Sequence, residues 1–260
     1  MDLGLGTRVA LVAAGSKGLG RAVAEELAAE GAAVVICARG RAALDEACRE
    51  MSARGRRVHG VEADVSVSGE PARVVAEATK IFGAPDIVVT NSGGPRSGPF
   101  ETLTDPDWDQ AVRTLLTSAV AFAGAALPAM RAKRWGRIIT ITSIAARQPV
   151  DGLMLSNSLR AGVLAFAKTL SNEVAADGIT VNSLLPGYTR TDRVLDLAKQ
   201  KAAAGGNADD LIRQWEAEVP MRRLGEPREF AALAAFLASD RASYITGQAI
   251  AVDGGWIRGT

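Results

Sequence analysis

The sequence predicts an α/β fold in a single domain of residues 1–260: a doubly wound parallel sheet of about seven strands with helices on both faces. Three observations predict it. Short β-rich runs alternate with helical patterns from end to end. Most of those runs are near-continuous Val, Ile and Leu, as strands covered on both faces require. No linker, repeat or low-complexity segment interrupts the alternation.

The expected strands are Thr7–Ala14, Ala32–Ala38, Arg57–Asp64, Asp86–Ser92, Gly136–Ile144, Thr180–Pro186 and Gln248–Asp253. Helical stripes lie between them. Leu44, Cys48 and Met51 recur at helical spacing, as do Val74, Ala78 and Ile81. Pro71 suits a first helical turn, with Ser68 as its expected cap. Gly31 and Gly178 stand where a helix ends in left-handed backbone. Right-handed crossovers then place helices on both faces. The stretch Tyr188–Pro220 breaks the rhythm. It is helical in pattern, is interrupted by Ala204-Gly205-Gly206-Asn207, and has no strand partner. Because it follows the carboxyl end of a strand, it is expected to be a lid, residues 188–220, over a ligand crevice.

Composition excludes several function classes. Lys and Arg total 30 against 29 Asp and Glu, a formal charge of +1, which gives no electrostatic case for nucleic acid or an anionic membrane. The local run Arg54, Arg56, Arg57 reads as a solvated loop. Cys37 and Cys48 make no disulfide framework, and both read as buried and inert, which points to a reducing, cytoplasmic setting. With no CxxC and with His59 as the one histidine, no metal site is expected. No continuous apolar run approaches the length of a membrane span.

The first strand runs into Ala14-Gly15-Ser16-Lys17-Gly18-Leu19-Gly20, where a helix opens. A glycine-rich turn between strand and helix aims backbone N–H groups at an anion, and the helix dipole favours a pyrophosphate there. The second strand ends about 20 residues later, so the turn stands in the context of a Rossmann-type dinucleotide site. That strand ends in Arg39, where an acidic residue would hold the ribose 2′-hydroxyl of NAD. An arginine suits the 2′-phosphate of NADP instead, and Lys17 adds a second positive charge. NADP is therefore the expected coenzyme, with NAD the weaker candidate.

These residues, with others, resemble the short-chain dehydrogenase/reductase family. Gly15, Gly18 and Gly20 match its first motif, with Ala14 where it usually has Thr. Asp64-Val65 is similar to the pair that meets the adenine. Thr90-Asn91-Ser92-Gly93 stands where the family has Asn-Asn-Ala-Gly. Pro186-Gly187-Tyr188-Thr189-Arg190-Thr191 fits its segment beside the nicotinamide, with Thr189 and Thr191 as coenzyme contacts. Ile245-Thr246-Gly247-Gln248 and Val252-Asp253-Gly254-Gly255 match its C-terminal signature. The resemblance spans nearly the whole chain and, within the family, is closest to the 3-oxoacyl-acyl-carrier-protein reductases. It implies an oxidoreductase acting on a small carbonyl or alcohol substrate, and a homotetramer or dimer.

The family's usual catalytic set is Asn, Ser, Tyr and Lys, and this chain departs at three of the four positions. The Ser is Ser143. Ser156 stands where Tyr belongs, thirteen residues on, and Arg160 stands where Lys belongs. Leu115 falls on the Asn position. Ser143, Ser156 and Arg160 are thus the candidate catalytic residues. A phenol starts near pKa ~10 and can be tuned by a neighbouring cation, whereas a serine hydroxyl is a far weaker acid. Arg160 keeps the charge but does not shed a proton. Leu115 offers no polar atom to a relay water. Tyr188, beside the expected nicotinamide segment, reads as a lid or core aromatic, with a replacement acid as its alternative role, and Tyr244 reads as structural. Asp151 and Arg147 read as solvated loop residues. Lys168 lies two helical turns past Arg160, too far to replace the missing Lys. Asn157, beside Ser156, either binds a substrate or water or caps the chain locally.

Two functions follow. One is an NADP(H)-dependent oxidoreductase that reduces a carbonyl, 3-oxoacyl compounds among the candidates, through a non-standard proton relay. The alternative is an NADP(H)-binding protein with weak or no catalysis, acting as a sensor or an assembly subunit. A structural protein without a nucleotide leaves the glycine turn and Arg39 without a reason.

Overall fold

The computed structural model describes residues 2–202 and 207–259. Seven strands form one parallel sheet in the order β3-β2-β1-β4-β5-β6-β7. They are β1 (Val9–Ala13), β2 (Ala33–Ala38), β3 (Val58–Glu62), β4 (Ile87–Thr90), β5 (Gly136–Ile141), β6 (Ile179–Pro186) and β7 (Ala249–Val252). Strands β1, β4 and β5 are buried along their whole length. Strand β3 is an edge, and its VHGVE sequence alternates accordingly, with His59 facing solvent.

Nine helices lie among the described residues: α1 (Gly18–Ala29), α2 (Arg41–Ala53), α3 (Glu70–Phe82), α4 (Asp105–Ala111), α5 (Ser118–Lys133), α6 (Met154–Val174), α7 (Asp192–Ala202), α8 (Ala208–Glu218) and α9 (Pro227–Ala238). Two cores result. Val23 and Leu27 of α1, Leu44 and Met51 of α2, and Phe230 and Leu237 of α9 pack on one face of the sheet. Val74 and Ala78 of α3, Phe122 and Met130 of α5, and Leu170 and Val174 of α6 pack on the other. Burying apolar area on both faces is what a parallel sheet needs. Cys37 lies inside the second core, where burial pushes its thiol up to about 12 and leaves it an inert apolar group. Helices α4 and α5 are joined by a turn of π-helix over Val112–Thr117. The helical run Asp105–Lys133 contains a window of mean hydropathy 1.4, long and apolar enough to cross a membrane; its Phe122, Ala126 and Met130 are instead buried against the sheet.

Two expectations change. Strand β5 stops at Ile141, because the chain turns at Ser143 into a short 3-10 segment, Ile144–Ala146. Helix α3 is not capped by Ser68. Gly69, at φ 85°, is its N-cap, and Pro71 occupies the first turn as expected. The interruption at 204–207 falls outside the described residues except for Asn207, whose side chain accepts from the Asp209 amide at 2.9 Å and starts α8. Of the basic run, Arg56 donates to the Ala28 carbonyl, and Arg57 to those of Gly6 and Gly31, so these side chains tie loops together.

The amino ends of the strands are stapled by charge. Asp86 is buried and accepts from the Val9 amide at 2.9 Å and from Lys133 at 2.7 Å. Nearby, the Trp135 ring is held between the guanidiniums of Arg8 and Arg137, 3.6 and 4.2 Å from its centroid. Trp135 donates to Asp240 at 2.9 Å. Arg137 is 2% exposed and donates to the carbonyls of Gly136 and Ser239. Replacing it strands those carbonyls and removes one cation from the ring. Arg137→Ala is expected to lower the unfolding free energy by about 2–4 kcal/mol, read as a fall in the urea midpoint. A fall worth less than about 0.5 kcal/mol would show that the staple is ornamental.

Candidate active site

The carboxyl ends of β1, β2, β4, β5 and β6 open onto one edge of the sheet, and the order reverses between β1 and β4. In such sheets the crevice outside that reversal is where ligands sit. The turn after β1 explains its own sequence. Ala14 takes a left-handed conformation, φ 49°. A Cβ at Gly15 would stand 2.7 Å from Ile36, and one at Gly20 would stand 2.3 Å from the Ala14 carbonyl and 2.8 Å from Asn91. Only glycine lets the turn close. The Gly15 amide donates to the Cys37 carbonyl at 3.1 Å, so it ties the turn to β2. The first intrahelical donor of α1 outside the turn is Arg21, to the Lys17 carbonyl. The amides of Gly18, Leu19 and Gly20 precede it in the first turn, where a helix has no partner of its own for its donors. Ser16 and Lys17 form the turn between, Lys17 exposed and without a capping bond, while the Leu19 side chain packs into the first core.

At the end of β2, Arg39 is 71% exposed and stands 3.9 Å from Asp64. Its guanidinium also reaches within 4.0 Å of where a Gly93 Cβ would be. Partial burial pushes the Asp64 carboxyl up, but the amide and hydroxyl of Ser66 and the charge of Arg39 outweigh that and hold it below the usual carboxylate range. Val65 is half-buried against the second core. Ser92 donates to the Gly93 carbonyl at 3.3 Å. Arg39, Asp64 and Gly93 thus frame one end of the crevice.

The β6 end frames the other. The Gly187 amide donates to the Val252 carbonyl, and a Cβ there would press on Asp253 at 2.7 Å. This locks Pro186-Gly187 to β7. Thr189 is buried and bridges to Gly225, and Thr191 lies 3.7 Å from the Cβ position of Gly18. The base of the segment 188–220 therefore leans on the glycine turn. Tyr188 stacks on Trp215 at 4.9 Å and meets the edge of Trp256 at 6.1 Å. Burial, then the Glu218 charge, push its phenol up to about 12. It is an aromatic anchor of this segment.

Between these ends lie the altered residues. The Ser143 hydroxyl accepts from the Ala145 amide at 3.1 Å, which leaves its proton free to donate. Ser156 is half-buried in the first turn of α6, with no hydrogen-bond partner among the described residues. Arg160, one turn on, points inward. It donates to the carbonyl of Thr142 at 2.6 Å and to that of Ile141 at 3.3 Å. Its Nε is buried without a partner. Burial, and then the like charge of Arg193, pull its pKa down to about 10, so it remains a cation at neutral pH. A cavity of about 10 Å³, room for about one water, is lined in part by Asn91, Ser92, Leu115, Ser118, Thr142 and Arg160. The π-turn that carries Leu115 persists although its side chain is apolar.

Asn157 is structural: its amide group bonds both the N–H and the carbonyl of Val150 and closes the loop before α6. Arg147 donates to the Ala249 carbonyl, and Lys168 packs against Gly247. A wider concavity of about 210 Å³ is bordered by Gln148, Glu218, Trp256 and Arg258. Sequence reasoning missed Arg193, which crosses from α7 to Gly94 and donates to the Pro95 carbonyl at 3.4 Å. Gly94, a second glycine after the recognised Gly93, was the one signal that something large must pass there.

Comparison with known proteins agrees with this geometry. Residues 13–257 match the family described as Enoyl-(Acyl carrier protein) reductase, adh_short_C2. The 3-oxoacyl-[acyl-carrier-protein] reductase FabG of Escherichia coli is 37% identical over 251 residues, covering 95% of this chain and 96% of that protein. The L-sorbose reductase of Gluconobacter frateurii, solved with NADPH and L-sorbose, superposes with a TM-score of 0.95 at 35% identity, covering 100% of both chains. YwfH, an NADPH-dependent reductase involved in bacilysin biosynthesis, gives 0.93 at 28% identity, covering 97% of this chain and 99% of that one. With the order β3-β2-β1-β4-β5-β6-β7, the glycine turn and these matches in agreement, the chain belongs to the short-chain dehydrogenase/reductase family of oxidoreductases.

Proposed function

We propose that the chain is an NADP(H)-dependent carbonyl reductase, working in the cytoplasm, whose proton path differs from that of its relatives. The observation that carries the coenzyme assignment is Arg39 at the end of β2, exposed and only loosely paired with Asp64 at 3.9 Å. A ribose 2′-phosphate would find there an exposed guanidinium that the Asp64 carboxylate, at 3.9 Å, pairs only loosely. The bare turn at Gly15 and Gly20 fits a pyrophosphate, the donors being the amides of Gly18, Leu19 and Gly20. Asp64 and Val65 would border the adenine. Asn91, Ser92 and Gly93 would line the ribose, and Pro186, Gly187, Thr189 and Thr191 the nicotinamide end. The L-sorbose reductase solved with NADPH and the NADPH-dependent YwfH support this reading.

When bound, reduced nicotinamide supplies a hydride to a carbonyl carbon, and negative charge grows on the oxygen. Ser143 and Ser156 offer hydroxyl donors to that oxygen. Arg160 offers a fixed positive charge behind them, worth most where water is excluded. The final proton then comes from water and leaves hydroxide, since no side chain here is an acid near neutrality. General acid help is typically worth ~10²–10⁴ in rate, so turnover should be slow unless this electrostatic term compensates. The substrate is a small carbonyl compound; ketoses and 3-oxoacyl compounds are the classes the relatives suggest. Residues 188–220 serve as the lid, and the working form is a homotetramer or dimer.

A second reading is favoured by one feature. The Arg160 guanidinium is tied to two main-chain carbonyls, which suits a structural plug as well as a catalytic charge. In that case the protein binds NADP(H) and turns nothing over. NADPH oxidation across ketose, 3-oxoacyl, quinone and α-dicarbonyl substrates tests the first reading. No rate above background with any of them, at high protein concentration, argues for the second.

Arg39→Asp is expected to weaken NADPH binding about tenfold to hundredfold and to leave NADH binding unchanged or improved, by fluorescence titration. Equal loss for both coenzymes would remove the phosphate role. With no phenol to titrate, kcat/KM for reduction is expected to be flat between pH 6 and 9. Ser156→Tyr combined with Arg160→Lys should bring back a titrating limb. If reduction is measurable only in that double variant, the natural protein is a binder.

A further inference from the structure

Two guanidiniums converge on this crevice without an anion. Arg160 is buried, and its Nε has no partner. Arg193 approaches from α7, and among the described residues neither has a carboxylate at ion-pair distance. Arg193 differs from the other surface arginines around it. Arg96 is paired with Asp107 at 2.7 Å, and Arg190 with Glu216 and Glu226 at 3.4 Å. What Arg193 has instead is one long bond, 3.4 Å, to the Pro95 carbonyl, and a path cleared by Gly94, whose absent Cβ would sit 2.7 Å from its Nη2. Bringing like charges together costs free energy unless something neutralises them, and unpaired buried donors cost more.

We propose that Arg193 is an anion-recognition residue. It exchanges the Pro95 carbonyl for a carboxylate or phosphate oxygen of a ligand in the crevice, and so draws the start of the lid across it. The inference rests on the reading that the crevice takes a dinucleotide and a carbonyl substrate. The shared chemistry is an oxyanion with two possible sources. One is the pyrophosphate of the coenzyme, since Thr191, two residues earlier, lies against Gly18. The other is a carboxylate or phosphate on the substrate, since Arg193 also reaches the loop after β4, beside Ser92 and Arg160. A substrate so recognised would be an anionic carbonyl compound, such as an oxo acid or a phosphorylated ketone.

Arg193→Gln separates charge from hydrogen bonding, because Gln keeps an N–H donor for Pro95 and loses the cation. Arg193→Lys keeps the cation. Arg193 is exposed, so both variants should melt at the temperature of the natural protein. In one arm, NADPH is titrated by fluorescence. In the other, oxalate is titrated calorimetrically into protein saturated with NADP⁺. A tenfold or larger loss of NADPH affinity in Arg193→Gln, largely restored in Arg193→Lys, assigns the residue to the pyrophosphate. Unchanged NADPH binding with oxalate binding lost in Gln and kept in Lys assigns it to the substrate. Both affinities unchanged in Gln, or no oxalate binding to the natural protein together with unchanged NADPH binding, overturns the proposal. If the natural protein binds no NADPH, the coenzyme reading falls instead; oxalate titrated without coenzyme then decides for or against Arg193.

Discussion

Everything at the crevice depends on two places where a side chain cannot stand. Gly15 lies against Ile36 of β2, and Gly20 lies against the Ala14 carbonyl and Asn91 beyond β4. These contacts draw β1, its two neighbours and the start of α1 into one tight corner. The parallel sheet puts that corner at the reversal of strand order, and the helix start gives it orphan amides. Arg39, Asp64, Thr191 and the Pro186-Gly187 segment gain meaning only because the corner is fixed. The stapled amino ends, with Asp86 and the Trp135 sandwich, hold the same strands from behind.

The same strand ends carry a cation in an unusual way. A lysine at position 160 could present one ammonium to the crevice and exchange its proton. Arg160 has a planar fork with five N–H donors, and it satisfies part of that fork on the carbonyls of Ile141 and Thr142. It thereby becomes a fixed charge under the crevice. Leu115 seals the side of the cavity where a polar group would lead water inward. The π-turn over Val112–Thr117 and the Arg160 charge both border this cavity. In the proposed reading, such a charge would stabilise an oxyanion electrostatically and would not act as an acid.

Much of the fold was legible because the physics is local and repeated. Strands buried on both faces must be apolar throughout, so the central ones announce themselves, while the edge strand β3 shows through the alternation that exposes His59. Ile144 misled because it is apolar and buried, although Ser143 has already turned the chain. Ser68 misled because a serine before Pro71 resembles a cap, whereas Gly69 reaches the required backbone without a side chain. In the candidate site, the sequence named residues but not the directions of their side chains. The family resemblance drew attention to Arg160, Asn157 and Tyr188. It could not say that Arg160 turns to the main chain, that Asn157 closes its own loop, or that Tyr188 stacks on Trp215. Those choices depend on contacts between residues far apart in sequence, and so does the reach of Arg193 to Gly94.

The most direct test of the account is calorimetric titration of NADPH into the natural, full-length protein at low salt. The account predicts saturable binding of one NADPH per chain, clearly tighter than NADH under the same conditions. Absence of saturable binding by either coenzyme would contradict it, because the corner at Gly15 and Gly20 would then have no ligand to explain it.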